Sequence, residues 1–302
     1  MCFGALSYFV YTGIPALAPT KPYVERLIDI LQPSLIFAML FITFCKVDPK
    51  DLRPRRWHLW LLLIQAVCFM LLSVLLLIFP HLPGQVIVEG AILCMICPTA
   101  TAAAVVTGKL GGNAADLTTY TILINLLTAL LVPVFIPFIH PHADLTFGIS
   151  VALILGKVFP LLFGPFLVAL PVRYFLPDLH KRIIACKDLA FYLWAVALSI
   201  AIGITVKSIV HSDVAFTYQF GIAAVSLLCC AVQFWAGRHI GKHYNDSISP
   251  AQALGQKNTV FAIWMGYTFM TPVTSIAGGF YSVWHNIYNS YQLYRKRKEE
   301  NS

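Results

Sequence analysis

Two short stretches carry side chains whose types and spacing suit the binding of a small ion. The first is Cys97-Pro98-Thr99-Ala100-Thr101, inside an apolar run. Proline removes a backbone donor and disfavours helix at the residue before it, and the two threonines can hydrogen-bond the groups it frees. The second is Gly255-Gln256-Lys257-Asn258-Thr259, where polar side chains in succession interrupt another apolar run. In a hydrocarbon layer such a cluster is tolerated only where it lines a protein cavity. A helix broken there presents a half-helix N-terminus, which favours anions, and C-terminal carbonyls, which favour cations. Thr99, Thr101, Lys257, Asn258 and Thr259 are therefore the candidate lining of a binding site. Asn125, in a third apolar run, either lines the same cavity or bridges two helices.

The chain that must position these residues has 302 of them, 59% hydrophobic and 11% charged. A soluble domain carries ~25% charged residues, so a soluble enzyme, a nucleic-acid binder and a disordered chain are excluded. A polytopic membrane protein remains. The net charge of +8 reads as the basic bias of cytoplasmic loops, not as a nucleic-acid surface. Most of the cysteines sit in apolar runs as small hydrophobes, and the Cys94-x-x-Cys97 pair has no second pair to complete a zinc site. No nucleophile, base and orienter converge, so no enzyme, cofactor or metal centre is expected.

Apolar runs fall at about 3–18, 27–45, 57–80, 85–109, 115–139, 146–172, 183–206, 214–236, 250–270 and 273–293. Each is long enough, or nearly so, to cross the bilayer as a helix of about 20 residues. The first has no Lys or Arg before Lys21, so it reads as a short span and not as a secretory signal. Sixteen basic residues follow even-numbered runs, among them Lys46 to Arg56, Arg173 to Lys187 and Arg295 to Lys298, against three after odd-numbered runs. That asymmetry places both termini in the cytoplasm. If Thr271-Pro272 were a kink, nine spans would put the basic tail outside, so ten are expected. Aromatic residues near span ends, such as Trp57, Trp60 and Tyr291, suit interface anchors.

Ten spans divide into two halves, residues 1–139 and 140–294, with a tail at 295–302. Five spans per half force the second half to insert upside down, and each break falls in the fourth span of its half. Breaks at corresponding places in inverted repeats are a pointer to a transporter's binding site. The expected class is thus an all-α membrane protein of ten helices in two inverted five-helix repeats.

Cys97-Pro98 followed by small residues, Gly255-x-x-Asn258 and the string Ser282-Val283-Trp284-His285-Asn286 resemble the bile acid:sodium symporter family, in span order and spacing from about Leu27 to Tyr294. Asn113 and Thr121 fit as well. The resemblance implies a core and a panel domain, with the broken fourth and ninth helices crossing in the core. It implies an organic anion moved with sodium, and the expected working is alternating access in a plasma or inner membrane.

The residues depart from that family where sodium should bind. Its fourth-span motif resembles Cys-Pro-Gly-Gly-x-x-Ser-Asn, and the last two oxygens become the methyls of Ala103 and Ala104. Its ninth-span motif resembles Glu-x-Gly-x-Gln-Asn, and the carboxylate becomes Ala253 and the Gln becomes Lys257. Gln65, Thr121 and, after a one-residue slip, Gln256 match remaining ligand positions. Too few oxygens are left, so sodium is doubtful as a partner. The Lys257 ammonium carries the charge of the absent ion in its place, and protons exchanged at that amine are a second candidate for coupling. A conventional sodium symporter, or a sensor on the same scaffold that no longer transports, stays open. Elsewhere, Lys157 either snorkels to an interface or enters the cavity, His285 and Asn286 are expected to bond between helices, and Glu89 is expected at the external mouth.

Overall fold

Leu, Ile, Val, Phe and Ala fill the long runs, and backbone in an apolar layer must satisfy its own hydrogen bonds, which favours helix throughout. A computed structural model describes residues 2–141, 145–186 and 189–300. Among the described residues there are helices and no strands. They are α1 (Cys2–Gly13), α2 (Lys21–Cys45), α3 (Arg56–Ile78), α4 (Gln85–Ile96), α5 (Ala103–Leu110), α6 (Ala114–Ile139) and α7 (Phe147–Leu162). There follow α8 (Gly164–Phe175), α9 (Pro177–Ala185), α10 (Leu189–Val210), α11 (Phe216–Lys242), α12 (Ser249–Gly255), α13 (Thr259–Phe269) and α14 (Pro272–Glu300).

Five stretches are long and apolar enough to cross a membrane: Pro15–Cys45, α3, α6, α10 and α11. A sixth is added if α7 and α8, bent by 40° about Phe163, form one span. This is fewer than the ten runs of the sequence, for local reasons. α1 has 12 residues, about 18 Å at ~1.5 Å per residue, which is short of the ~30 Å hydrocarbon core. The fourth and ninth runs are each split into two short helices, α4 with α5 and α12 with α13. α14 has 29 residues, but Asn, Gln, Tyr and its basic end dilute its hydropathy. The seventh run begins at Leu189, and the segment before it forms the amphipathic α9, whose His180 Nε2 lies 2.8 Å from the Cys45 carbonyl. Lys187, counted among the cytoplasmic basic residues, lies outside the described residues.

Thr271 separates α13 from α14 as a turn, its Oγ1 accepting from Thr274 N at 3.0 Å. Asn113 starts α6 as an N-cap, its Oδ1 accepting from Ala115 N and Asp116 N at 3.0 Å each. Arg55 closes on Asp116 at 3.0 Å, and Arg173 on Asp48 at 2.8 Å. Trp57 is not an interface anchor: it is 3% exposed and packs 6.0 Å from the Tyr120 ring. α11 lies in close backbone contact with the first turn of α12 and the turn before it. A Cβ on Gly237 would strike the Pro250 carbonyl oxygen, and one on Gly241 the Asp246 carbonyl oxygen. Small residues four apart let helices meet backbone to backbone in this way.

Candidate functional site

Pro98 ends α4, and the chain at Cys97 leaves helical geometry with φ −55° and ψ 129°. Gly255 ends α12, and Gln256 is extended. Asn258 then caps α13, its Oδ1 accepting from Phe261 N at 3.2 Å. Each break frees backbone groups that lipid cannot satisfy. They satisfy each other. Ala100 N donates to Gln256 O at 2.8 Å, and Asn258 N donates to Pro98 O at 2.8 Å, an antiparallel bridge that sets Thr99 opposite Lys257. The two broken helices therefore cross and are joined through their main chains.

Side chains cover the remaining carbonyls. Thr99 Oγ1 donates to Ala253 O at 2.6 Å, Tyr281 OH to Gly255 O at 2.8 Å, and Cys97 Sγ to Asn258 O at 2.9 Å. Gln65 Nε2 reaches Ile96 O and Cys97 O, both at 3.1 Å, and Thr128 Oγ1 also donates to Ile96 O, at 3.0 Å. Lys257 is 1% exposed, and its Nζ donates to Gln65 Oε1 at 2.9 Å. Tyr120 OH donates to the same oxygen at 3.2 Å. Gln65 thus relays between the carbonyls of the first break and the ammonium of the second. Among the described residues no carboxylate pairs with Lys257. Removing only the hydroxyl in Tyr281→Phe would leave the Gly255 carbonyl buried and unpaired. The expected loss is about 1–3 kcal/mol of stability, read as a lower melting temperature in detergent; an unchanged melt would remove this bond from the crossing's support.

An open cavity of about 740 Å³ lies between α2, α7 and α13. Asp29, Pro33, Ser34 and Phe37 line it from α2, and Lys157, Pro160 and Leu161 from α7. Trp264, Tyr267 and Thr268 complete it from α13. The Lys157 Nζ stands 5.7 Å from the centroid of Phe269.

Residues 33–212, more than half of the chain, match the model of the sodium bile acid symporter family. The chain belongs to that family. It is also similar to the uncharacterized sodium-dependent transporter YocS of Bacillus subtilis (strain 168), with 24% identity over 278 residues, 89% of this chain and 82% of that protein. Members of the symporter family are transporters and not enzymes. The chain is accordingly an integral, multi-pass membrane protein of a transporter family, with a small-molecule substrate implied. The family match includes the first break, Gln65 and Lys157, and ends before the second break.

The residues singled out from the sequence divide into two groups in this symporter-family fold. Thr99, Lys257, Asn258 and Thr259 come together at the crossing and are buried, and Thr101 is half-buried in the turn before α5. None of them lines the cavity. Of the positions where the family's sodium ligands are expected, Ala103 and Ala253 are fully buried and Ala104 is half-buried. Thr121 Oγ1 is used by its own helix, donating to Leu117 O at 3.0 Å. Gln256 Oε1, Asn258 Nδ2 and both polar atoms of Asn125 are buried with no protein partner. Asn125 thus bridges no helices.

Asn286 departs from the inter-helix role expected of it. Its Nδ2 donates to Ser282 O on its own helix at 2.7 Å, while Trp284 Nε1 reaches Ser226 Oγ on α11 at 3.1 Å. Nδ1 of the buried His285 has no protein partner. Glu89 is 2% exposed and not at an open mouth. It accepts from Thr274 Oγ1 at 2.6 Å and Gln85 Nε2 at 3.0 Å, with His140 Nε2 at 3.4 Å. Lys157 opens into the cavity. Asp29 shares that cavity and was overlooked in the sequence, although an acid between Ile28 and Ile30 in an apolar run is a visible signal.

Proposed function

We propose that this chain moves a small organic anion across the membrane by alternating access and does so without sodium, with the Lys257 ammonium occupying the cation's position. The observation that carries the reading is the Lys257 Nζ, fully buried and held by Gln65 Oε1 at 2.9 Å beside the crossing of the two broken helices. A lysine at a helix centre costs ~2.5–3.5 kcal/mol on insertion scales. Such a residue persists where it has a task, and in this reading it supplies one positive charge at the crossing. The topology that goes with this reading is ten spans in inverted halves, 1–139 and 140–294, with the tail at 295–302 and both termini cytoplasmic. The two breaks that meet at Thr99 and Lys257 support it, since each falls in the fourth run of its half.

Counterflow in liposomes with a panel of carboxylates, with and without sodium and across a pH series, tests the reading. Uptake is expected to saturate with the carboxylate and to change less than about twofold when potassium replaces sodium, a difference under ~0.5 kcal/mol. A saturable sodium requirement would overturn it, and a pH optimum would assign the coupling to protons. Substrate binding without flux would indicate a sensor instead. Sodium-coupled symport is the second reading. The family's name and that of its Bacillus relative favour it, as do the unpaired oxygens of Gln256 and Asn125.

A further inference from the structure

We propose that the cavity between α2, α7 and α13 takes a zwitterion, a solute whose anionic group meets Lys157 and whose cationic group meets Asp29. The inference rests on the transporter reading above and narrows its organic anion to one that also carries a positive group. Asp29 and Lys157 line the same cavity from different helices. Among the described residues neither forms an ion pair or a hydrogen bond, and Lys157 has only the face of Phe269. A nearby pair of charges is matched. Glu25, one turn before Asp29 on α2, holds Lys207 of α10 at 2.7 Å, and Lys207 also donates to the hydroxyl of Tyr267 at 3.4 Å. One unmatched charge of each sign is left on the wall of the same open cavity.

Charged side chains within membrane helices mark substrate paths and seek partners. A simple anion on Lys157 would bring its charge into a cavity whose lining also carries the Asp29 carboxylate. A zwitterion satisfies both walls. Trp264, Tyr267 and Phe37 supply an aromatic surface for its body, and the cavity volume falls within the ~300–1,000 Å³ usual for small-molecule sites. Lys157 is ten residues into α7 and Asp29 eight beyond the start of α2, about 15 Å and 12 Å along their helices at ~1.5 Å per residue.

Binding to the purified full-length chain in phospholipid-free detergent tests this by calorimetry. The probes are terminal amino acids from aminobutyrate through aminocaproate to aminocaprylate, each with the carboxylate and the amine of equal chain length. At least one amino acid is expected to bind about tenfold tighter than both of its singly charged counterparts, and this preference needs no variant. Asp29→Asn should weaken that amino acid about tenfold and leave the matching carboxylate no weaker. Lys157→Gln should weaken it about tenfold and leave the matching amine no weaker. The proposal is overturned if no amino acid exceeds its carboxylate. It is overturned equally if either variant weakens all three probes alike, as a structural Asp29–Lys157 contact would, or if added phosphatidylcholine binds and the amino acids do not. Sodium-free carboxylate uptake without the preference would remove this inference alone. The preference together with sodium-dependent uptake would remove the Lys257 reading alone.

Discussion

Lys257→Gln will lower the initial rate of carboxylate uptake by roughly ten- to a hundredfold in proteoliposomes, while the protein still elutes as a folded species. The magnitude follows from the charge-assisted bond that the substitution weakens or loses. A hydrogen bond to a charged group is worth about 1.5–3 kcal/mol, and each 1.4 kcal/mol is about a factor of ten. Glutamine can keep a hydrogen bond to Gln65 Oε1 but not the positive charge at the crossing. Folding is expected to survive, because the bonds from Ala100 N to Gln256 O and from Asn258 N to Pro98 O, both 2.8 Å, involve no side chain of residue 257. A folded Lys257→Gln protein with an unchanged rate would remove the lysine from the mechanism.

Gly237→Leu is expected to damage the structure itself. At this position α11 meets the first turn of α12, and even a Cβ would collide with the Pro250 carbonyl oxygen and the Ala251 Cα. Overpacking against side chains costs about 1–3 kcal/mol, but here the neighbour is backbone, which cannot rotate aside. The cost should exceed roughly 3 kcal/mol, a drop in melting temperature of about 6 °C or more for a chain of this size. Melting in detergent, followed by tryptophan fluorescence, reads it. A melt within about 2 °C of the parent would show that α12 can shift without loss. Because α12 ends at the Gly255 break, the same change should disturb the crossing from a distance.

The sequence made the breaks legible because their causes are local. Pro98 forbids a helical bond, and Gly255 to Asn258 cannot face lipid. Lys257 stood out for the same reason, as a charge amid apolar residues. The pairing of Ala100 with Gln256 and of Asn258 with Pro98 left no side-chain signal, since those bonds are made by groups every residue carries. The cavity was harder still. It is assembled from α2, α7 and α13, far apart in the chain, and only packing reveals that Asp29 and Lys157 share it. The buried contacts of Glu89 with Thr274 and His140 likewise join three segments that no spacing rule connects. Span lengths were overread where an apolar run concealed a helix end, as at α1 and before α10.

The bridge between Thr99 and Lys257 is written in main-chain atoms, its donors the N–H groups of Ala100 and Asn258, so it survives any substitution at those two positions except proline. Framework and side-chain chemistry are thereby uncoupled at the centre of the protein. The side chains at the crossing can change while the main-chain framework that holds them persists. A fold built this way can exchange one cargo chemistry for another through a handful of substitutions, each tolerated in turn.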